Sequence, residues 1–234
     1  MMYLKIKRSF DILFSFIMIL LLLPVLFVIS VVIKFECPNC GIIFRQKRYG
    51  KNSEAFVIYK FRTMKKDAPN ISACEMVINQ DKYITKFGKF LRKTSLDELP
   101  QLFNILKGDM SIIGPRPVIL AEEYLQNLRK QNGSDNILPG LTGLAQVNGR
   151  NSLSDDEKAE FDAEYYYKIC FWLDVKIFWG TLYKVLKHDD IDCINKETKK
   201  EGASVALSAA DICDSDPAGG ISAGQQPDQQ LFPG

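Results

Sequence analysis

Asp97 and Glu98 are adjacent acids and have the side chains best suited to chemistry in this chain. Cations flank them along the sequence: Lys60 comes before them, Arg92 lies close by and Arg116 follows. Such cations can neutralise the oxygens of a diphosphate. A hard divalent ion such as Mg²⁺, held by Asp97, would spread the charge that develops when a carboxylate approaches phosphorus. The pattern indicates phosphoryl transfer with Mg²⁺ as cofactor and with Asp97 and Glu98 as catalytic residues.

Glu98 also stands three residues after Ser95, which is the spacing of a helix-capping box. Acids are common in the first turn of a helix because they interact favourably with its dipole. A purely structural role for Asp97 and Glu98 is therefore the alternative. The two roles are compatible, because a helix that starts at Ser95 would present Asp97 at its amino-terminal end, where backbone N–H groups suit anions.

Two turn-forming segments follow these acids in the sequence. Residues 114–117 read Gly-Pro-Arg-Pro and predict a rigid turn that contains Pro115. Residues 139–150 contain three glycines, Gly143 among them, and hydrogen-bonding side chains such as Thr142 and Arg150. This stretch lacks the spacing of a Walker or dinucleotide fingerprint. We expect a substrate-binding loop, and an ordinary long connection is the alternative.

The elements that must position these residues begin with a hydrophobic segment. Residues 12–33 carry no charged side chain, and 22 helical residues would reach about 33 Å, enough to cross a bilayer core. Lysines and arginines lie on both sides of the segment, so the positive-inside rule places both of its ends on the cytoplasmic side. Pro24 would kink a helix near the middle. We therefore expect a re-entrant helical hairpin, and a kinked single span is the alternative.

The rest of the chain predicts a helix-dominated α+β domain. Residues 42–45 and 55–59 are short runs separated by a basic stretch, which predicts a β-hairpin and the only sheet. Ser154 and Glu157 have the spacing of a capping box that starts a helix. Helical periodicity also occurs at residues 82–91, 96–106, 118–131 and 173–187. For the last of these helices, core packing and an interfacial position anchored by tryptophans are equal alternatives.

The sequence thus divides into three regions. Residues 1–34 form the re-entrant membrane helix, and residues 35–190 form a cytosolic catalytic domain with interfacial helices. Residues 191–234 turn to small and polar residues, which predicts a disordered tail. The formal net charge of +2 is uninformative about partners.

The six cysteines are scattered, so we expect reduced thiols rather than a disulfide framework. Cys37 and Cys40 are a close pair, which we interpret as part of a turn. A zinc site would require two further ligands, and no second pair offers them. The single histidine, His188, argues against a histidine-dependent triad or an H-E-x-x-H zinc site.

Four segments in order resemble the bacterial sugar transferases, the small monotopic phosphoglycosyltransferases. They are Lys-Phe-Arg-Thr-Met at residues 60–64, Ser-Leu-Asp-Glu-Leu-Pro-Gln at 95–101, Gly-Asp-Met-Ser-Ile-Ile-Gly-Pro-Arg-Pro at 108–117 and Pro-Gly-Leu-Thr-Gly at 139–143. The likeness covers about residues 5–187. The chain departs from the family at the kink, where Leu23 precedes Pro24 and the family often has serine. It also departs at Cys37 and Cys40, so the resemblance implies no metal or redox role for that pair.

The resemblance implies transfer of a sugar-1-phosphate from a UDP-sugar to polyprenyl (undecaprenyl) phosphate, with release of UMP. This would be the first membrane step of glycan or glycoconjugate biosynthesis, at the cytoplasmic face of the bacterial inner membrane. The implied partners are the UDP-sugar donor, the polyprenyl phosphate acceptor and membrane lipid, with no nucleic acid, and a homo-oligomer is left open.

The resemblance also implies roles for individual residues. Asp97 is the nucleophile that forms a phosphosugar-enzyme intermediate, and Glu98 is its partner in acceptor deprotonation or metal placement. Substrate binding falls to a set that includes the charged side chains of Lys60, Arg92 and Arg116. Two further acids match acidic positions of the family, although helix capping or buried ion pairing explains them equally well. These are Asp162 and Asp174.

Two other functions compete with this one. A membrane-tethered scaffold would use the acids as helix caps and the basic residues as contacts to lipid headgroups. A carboxylate-pair glycosidase would need acids about 5 to 9.5 Å apart across the sugar, which adjacent residues suit poorly.

Overall fold

The structure is a computed structural model that describes residues 2–65, 83–149 and 152–187. Helices dominate this part of the chain, so the predicted α+β class is confirmed. The elements are α1 (Met2–Glu36), β1 (Ile43–Tyr49), β2 (Ala55–Phe61), α2 (Lys86–Lys93), α3 (Gln101–Lys107), β3 (Ser111–Ile113), α4 (Glu123–Asn132), β4 (Gly140–Thr142), α5 (Leu144–Asn148), α6 (Asp155–Lys168) and α7 (Phe171–Lys187). The predicted tail at residues 191–234 and His188 lie outside the described residues.

The first helix, α1, is continuous over 35 residues, and Pro24 lies inside it. Leucine, isoleucine, phenylalanine and methionine fill most of it, and the missing N–H of Pro24 removes only one backbone hydrogen bond. Among the described residues, α1 is the one helix long and apolar enough to cross a membrane. The structure therefore has one helix where we expected two arms around Pro24. That this segment enters and leaves the membrane at the same face remains a prediction.

The domain packs along the length of α1. Near its start, Arg8 Nη2 donates to the Ile105 carbonyl at 2.7 Å. At its end, Glu36 Oε1 accepts from the Phe87 N–H at 3.1 Å. Between these points, buried side chains of α1 form two core clusters with residues of β2, α2 and α3 and with Met110, which precedes β3. One cluster contains Ile19, Ile58, Leu102, Ile105 and Met110, and the other contains Leu26, Ile29, Ile33, Phe61 and Leu91. α1 therefore forms one side of the hydrophobic core in addition to being an apolar helix.

The predicted β-hairpin is confirmed. β1 and β2 pair antiparallel, with Tyr49 opposite Ala55 at the closed end. The connection contains Asn52 and Ser53 with φ of 54° and 61°. Asparagine tolerates this left-handed region better than most residues, so the turn suits its sequence.

Asn104 ties α3 to the hairpin. Its side chain is fully buried, its Nδ2 donates to the Val57 carbonyl at 2.7 Å, and its Oδ1 accepts from the Tyr59 N–H at 3.0 Å. The amide thus satisfies two backbone groups on the edge of β2. This contact fixes the segment that carries Asp97 against the strand that carries Lys60.

The prediction of a single sheet is wrong, because β3 and β4 form a second, parallel pair. Ser111 lies opposite Gly140, and Ile113 lies opposite Thr142. Strands of three residues are too short to show alternation in the sequence. The backbones approach closely here, since a Cβ at Gly140 would lie 2.1 Å from the Gly114 nitrogen.

The predicted helix at residues 96–106 is interrupted at Pro100. Leu96–Glu98 forms a 3₁₀ turn, and α3 begins only at Gln101. Proline is favoured at the first positions of a helix, where no N–H is needed, so Pro100 starts a new helix instead of continuing the turn.

The predicted helix at residues 118–131 begins later, at Glu123. The Val118 carbonyl accepts from the Tyr49 N–H at 3.0 Å, and Ile119 forms a bridge with Arg48. Pairing with β1 therefore holds these residues extended. The helix predicted from residue 82 begins at Lys86, and its first residue lies outside the described part of the chain. The capping box at Ser154 and the final helix are confirmed.

The expectation of reduced thiols is wrong for Cys37 and Cys40, which form a disulfide. The turn after α1 brings their Cα atoms to 5.3 Å, within the range that disulfides require. The interpretation of this pair as part of a turn is confirmed.

Candidate active site

Asp97 and Glu98 lie in the 3₁₀ turn Leu96–Glu98. Ser95 precedes them with φ of 55°, and its side chain caps no backbone N–H. The predicted capping box is therefore wrong, because an N-cap residue needs an extended backbone. Left-handed geometry at a serine costs on the order of 1 kcal/mol, which the packing around the turn offsets.

The Glu98 carboxylate joins two of the predicted cations. Its Oε1 accepts from Lys60 Nζ at 2.8 Å and from Arg116 Nη2 at 3.2 Å. Lys60 comes from β2 and Arg116 follows β3, so residues far apart in sequence meet at one carboxylate. Burial lowers the pKa of Lys60, and the neighbouring charge of Glu98 opposes that shift.

The Asp97 side chain is buried beside this pair, with 9% of its surface exposed. Within the described part of the chain, no group donates a hydrogen bond to its carboxylate. Burial raises the pKa of Asp97, and the charge of Glu98 raises it further, while Lys60, Arg92 and Arg116 oppose the shift. A carboxylate that is shielded from much of its water and has gained no donors is a stronger nucleophile than a fully solvated one.

Arg92 approaches Asp97 from α2. Its Nε donates to the Thr63 hydroxyl at 2.9 Å, which orients the guanidinium, and its charge favours the ionised form of Asp97. The predicted cations Lys60, Arg92 and Arg116 thus surround two acids and leave one positive charge in excess. Such a site suits a phosphate group.

Arg48 in β1 adds a cation that reasoning from the sequence missed. Its Nη1 donates to the Pro117 carbonyl at 3.3 Å, and its Nη2 donates to Gln46 Oε1 at 2.8 Å. Burial, followed by the charge of Arg116, lowers the pKa of Arg48 to about 10. Arg48 therefore adds positive charge at the edge of the site.

The hairpin register contains a signal that identifies Arg48. Lys60 lies opposite Phe44, and Arg48 follows Phe44 by four residues on the same strand. Side chains alternate between the two faces of a strand, so Arg48 and Lys60 share a face. Alternation applied to the predicted hairpin would have placed Arg48 beside the site.

Other predicted binding residues brace the turn that carries Arg116. The Pro115 carbonyl accepts from the Gly140 N–H at 2.8 Å. A Cβ at Gly143 would lie 2.2 Å from the Gly114 carbonyl oxygen, so only glycine allows this approach. These contacts fix the backbone behind Arg116.

Thr142 is buried, and its hydroxyl lies 2.6 Å from the hydroxyl of Thr181 in α7. Its side chain therefore joins β4 to α7. Arg150 lies outside the described residues. A substrate-binding role for Pro115, Thr142, Gly143 and Arg150 stays a prediction.

Asp162 and Asp174 are both buried in ion pairs. Asp162 Oδ2 accepts from Arg129 Nε at 2.9 Å and from Arg129 Nη2 at 2.6 Å. The two oxygens of Asp174 accept from the side chains of Tyr3 at 2.6 Å, Tyr165 at 2.7 Å and Lys7 at 3.0 Å. Each acid therefore has a structural partner of its own, as the alternative interpretation held.

The oxygen ligands of this site suit Mg²⁺. Among the described residues, no three or more His, Cys, Asp or Glu side chains form a group that could hold a metal ion. Mg²⁺ is commonly held by one or two carboxylates, with waters and substrate phosphates at the other positions. Asp97 and Glu98 fit an ion that arrives with a diphosphate.

Comparison with known proteins places the chain in a family. Residues 2–188 match the family described as bacterial sugar transferase. The chain is 40% identical over 186 residues to the UDP-glucose:undecaprenyl-phosphate glucose-1-phosphate transferase of Escherichia coli (strain K12), a match covering 76% of this chain and 40% of that protein. Over 189 residues it is 38% identical to the UDP-N-acetylgalactosamine-undecaprenyl-phosphate N-acetylgalactosaminephosphotransferase of Aeromonas hydrophila, covering 79% of this chain and 44% of that protein.

A third relative is similar in length. An uncharacterised sugar transferase of Bacillus subtilis (strain 168) is 39% identical over 196 residues, covering 82% of this chain and 93% of that protein. The chain thus spans about two fifths of the length of the Escherichia coli and Aeromonas relatives and most of the Bacillus one. With four motifs in order and a family match over residues 2–188, this chain belongs to the bacterial sugar transferase family.

Proposed function

We propose that this chain is a phosphoglycosyltransferase that transfers a sugar-1-phosphate from a UDP-sugar to polyprenyl phosphate and releases UMP. The observation that carries this proposal is the buried Asp97 carboxylate, which lacks donors among the described residues and lies among cations. The names of the Escherichia coli and Aeromonas relatives pair UDP-sugars with undecaprenyl phosphate, which supports the classes of donor and acceptor.

In the first step, an Asp97 carboxylate oxygen attacks the phosphorus that bears the sugar. A bond forms between that oxygen and phosphorus, and the bond from this phosphorus to the bridging oxygen breaks. UMP leaves with the bridging oxygen and its electron pair. Lys60 and Arg116 neutralise the charge that builds on the phosphate oxygens. Asp97 must be ionised for this attack. Burial and the charge of Glu98 disfavour that form, and the charges of Lys60, Arg92 and Arg116 oppose this effect.

In the second step, a phosphate oxygen of polyprenyl phosphate attacks the same phosphorus. The Asp97 carboxylate leaves with its electron pair, and the product is a polyprenyl diphosphate that bears the sugar. Glu98 keeps Lys60 and Arg116 directed into the site while the substrates change, since one of its oxygens accepts from both. A proton on the acceptor phosphate would pass to Glu98.

Mg²⁺ would be held by Asp97 with Glu98 adjacent, and it would supply further neutralisation of the diphosphate when bound. Asp97 and Glu98 fit this ion because they offer hard oxygen ligands in a site that already favours phosphate.

The exposed side chains support attachment to one membrane face. The outer face of α1 exposes large apolar side chains, among them Phe10, Phe16, Leu21 and Phe27. In α7, Trp172, Trp179 and Tyr183 are exposed. The two helices meet, since the rings of Phe14 and Phe178 lie 6.1 Å apart. Together these side chains form one apolar surface with tryptophans suited to the headgroup region.

Contacts to the domain run from the first turns of α1 to its last residue, so α1 lies along the domain instead of leaving it as a free span. We infer a monotopic arrangement at the cytoplasmic face of the inner membrane. This position would bring a lipid-borne phosphate to the level of the site.

A purified preparation in nanodiscs tests the function. The protein is incubated with Mg²⁺, undecaprenyl phosphate and single UDP-sugars, starting with UDP-glucose and UDP-N-acetylgalactosamine, and UMP release is measured. We expect UMP and a lipid-linked sugar from at least one donor. Asp97→Asn should abolish both products, while Asp156→Asn, which changes an exposed acid at the start of α6, should retain them. Absence of UMP with every donor would favour the membrane-tethered scaffold.

A further inference from the structure

The backbone that carries Arg116 is held by hydrogen bonds at every carbonyl from Pro115 to Val118. Two of the donors are arginine side chains, and both come from other elements. In order along the segment, the donors are Gly140 N at 2.8 Å, Arg129 Nη1 at 2.9 Å, Arg48 Nη1 at 3.3 Å and Tyr49 N at 3.0 Å. The prolines on each side of Arg116 have no N–H. The carbonyls therefore supply most of the backbone hydrogen bonds that can orient this segment.

The donor to the Arg116 carbonyl belongs to a fully buried ion pair. Arg129 is 5% exposed and Asp162 is 1% exposed. Arg129 directs Nε and Nη2 to one oxygen of Asp162 and Nη1 to the Arg116 carbonyl. A guanidinium is planar and rigid, so Asp162 fixes the direction in which the third nitrogen points.

Burying these two charges is costly. Replacement of a buried ion pair by well-packed apolar side chains is often neutral or stabilising. Apolar packing is available here, because Leu125 of α4 and Ala159 of α6 already meet in a core cluster. Apolar packing could therefore supply the stability that the ion pair gives. What packing could not supply is a hydrogen-bond donor directed at the Arg116 carbonyl.

We propose that Arg129, held by Asp162, is a positioning residue that sets the direction of Arg116 toward the phosphate. This inference rests on the proposed function, in which Arg116 binds the donor diphosphate. Asp162 then affects substrate binding indirectly, because it orients Arg129, which orients Arg116, and Asp162 itself does not contact the substrate.

A double-mutant cycle tests this coupling. Arg129→Lys keeps the charge but cannot bind Asp162 and the Arg116 carbonyl in the same geometry. In the wild-type background we expect kcat/KM for the UDP-sugar to fall by about 10- to 100-fold, as for misplaced binding groups. In an Arg116→Ala background the same substitution should cause almost no further loss, because the residue it acts through is gone. Equal losses in both backgrounds would overturn the proposal.

Asn132→Ala is the matched control, because Asn132 Nδ2 joins α4 to the Ala159 carbonyl of α6 at 2.9 Å without contact to Arg116. It should lower the thermal midpoint and leave KM and kcat unchanged. If Arg129→Lys does not fold, Asp162→Asn replaces it in the cycle with the same expectations. A loss caused by Asn132→Ala as large as that caused by Arg129→Lys would show a general effect of α4–α6 packing and overturn the proposal.

Calorimetric binding of UDP separates this proposal from the proposed function. Arg129→Lys should weaken UDP binding in the wild-type background and leave it unchanged in the Arg116→Ala background. Wild-type protein that binds UDP but transfers no sugar phosphate would overturn the function, and the UDP cycle would still decide the role of Arg129. Wild-type protein that neither binds UDP nor transfers sugar phosphate would overturn both.

Discussion

Asp97 and Asp174 are buried to the same degree, with 9% and 7% of their surfaces exposed, yet their surroundings differ. Asp174 accepts hydrogen bonds or an ion pair from Tyr3, Tyr165 and Lys7, all within 3.0 Å. Asp97 has cations nearby but, among the described residues, no donor to its carboxylate. Burial alone therefore does not distinguish the two acids, whereas the number of hydrogen-bond donors around each carboxylate does.

The two regions also differ in what they connect. Asp174 joins α7 to α1 through Tyr3 and Lys7 and to α6 through Tyr165, so it holds the apolar helix on the domain. Burial and the charge of Asp174 raise the pKa of Tyr165, so this hydroxyl stays protonated and donates. Among the described residues, the Asp97 carboxylate bonds to no other element, and its charge interacts with those of Lys60, Arg92 and Arg116. We expect substitutions at Asp97 to change mainly the reaction rate and substitutions at Asp174 to change mainly the stability of the fold.

The largest effect is expected for Asp97→Asn. An amide cannot form the covalent intermediate, so UMP release should fall by roughly 10⁴- to 10⁶-fold, as for other lost nucleophiles. The folded protein raises the pKa of Asp97, so the charged form is destabilising near neutral pH. The same substitution should therefore raise the thermal midpoint. Activity assays check the loss of UMP release, and thermal unfolding at pH 7 checks the midpoint. A lower midpoint together with retained turnover would contradict the role of Asp97 as a nucleophile in a destabilising environment.

Glu98→Gln should have the next largest effect. A neutral amide holds Lys60 and Arg116 less firmly, so we expect kcat to fall by about 10²- to 10³-fold, the usual size for a lost electrostatic group. Steady-state kinetics with a saturating donor measure this. Glu157→Gln, which changes the capping box of α6, is the control and should leave kcat unchanged.

Arg48→Gln should have a smaller effect. It removes the positive charge beside Arg116 and the guanidinium donor to the Pro117 carbonyl. We expect about a tenfold rise in KM for the UDP-sugar with little change in kcat, because uniform binding is lost. A fall in kcat at constant KM would assign Arg48 to the transition state instead.

The pH dependence of the reaction rate reflects the ionisation of Asp97. Only ionised Asp97 attacks, so the rate falls as pH decreases through its pKa, and the raised pKa places this acid limb above the ordinary aspartate range near 4. Arg92 opposes the rise, so Arg92→Gln should move the limb to higher pH. Profiles of kcat/KM against pH test this, and a limb that moves to lower pH would contradict the placement of Arg92 beside Asp97.

Asp174→Asn should have the smallest effect on rate and a large effect on stability. Removing one member of a buried ion pair costs about 3 to 5 kcal/mol, and retained hydrogen bonds to the amide oxygen would reduce that loss. Denaturant unfolding in detergent measures it. The folded variant should have the same KM for the donor as the wild type. A changed KM with unchanged stability would show that Asp174 acts in catalysis or binding, as Asp97 does.

The sequence predicted the elements with long repeating patterns and the charged residues of the site. The hairpin, α7 and the capping box at Ser154 were predictable because each has a local pattern. β3 and β4 were not, because their pairing depends on the close approach of Gly114 and Gly140. The prediction of a capping box at Ser95 was wrong because the Glu98 side chain binds Lys60 and Arg116 instead of the backbone. These two contacts are long-range, so residue spacing along the chain does not reveal them.

The proposed mechanism requires Asp97 to become covalently bonded to the sugar phosphate. Incubation of wild-type protein with Mg²⁺ and an active UDP-sugar, without polyprenyl phosphate, followed by acid quenching and peptide mass spectrometry, tests it most directly. We expect one equivalent of UMP per protein and the mass of the sugar phosphate added to the peptide that contains Asp97. UMP release that requires polyprenyl phosphate, with no adduct on that peptide, would contradict the account.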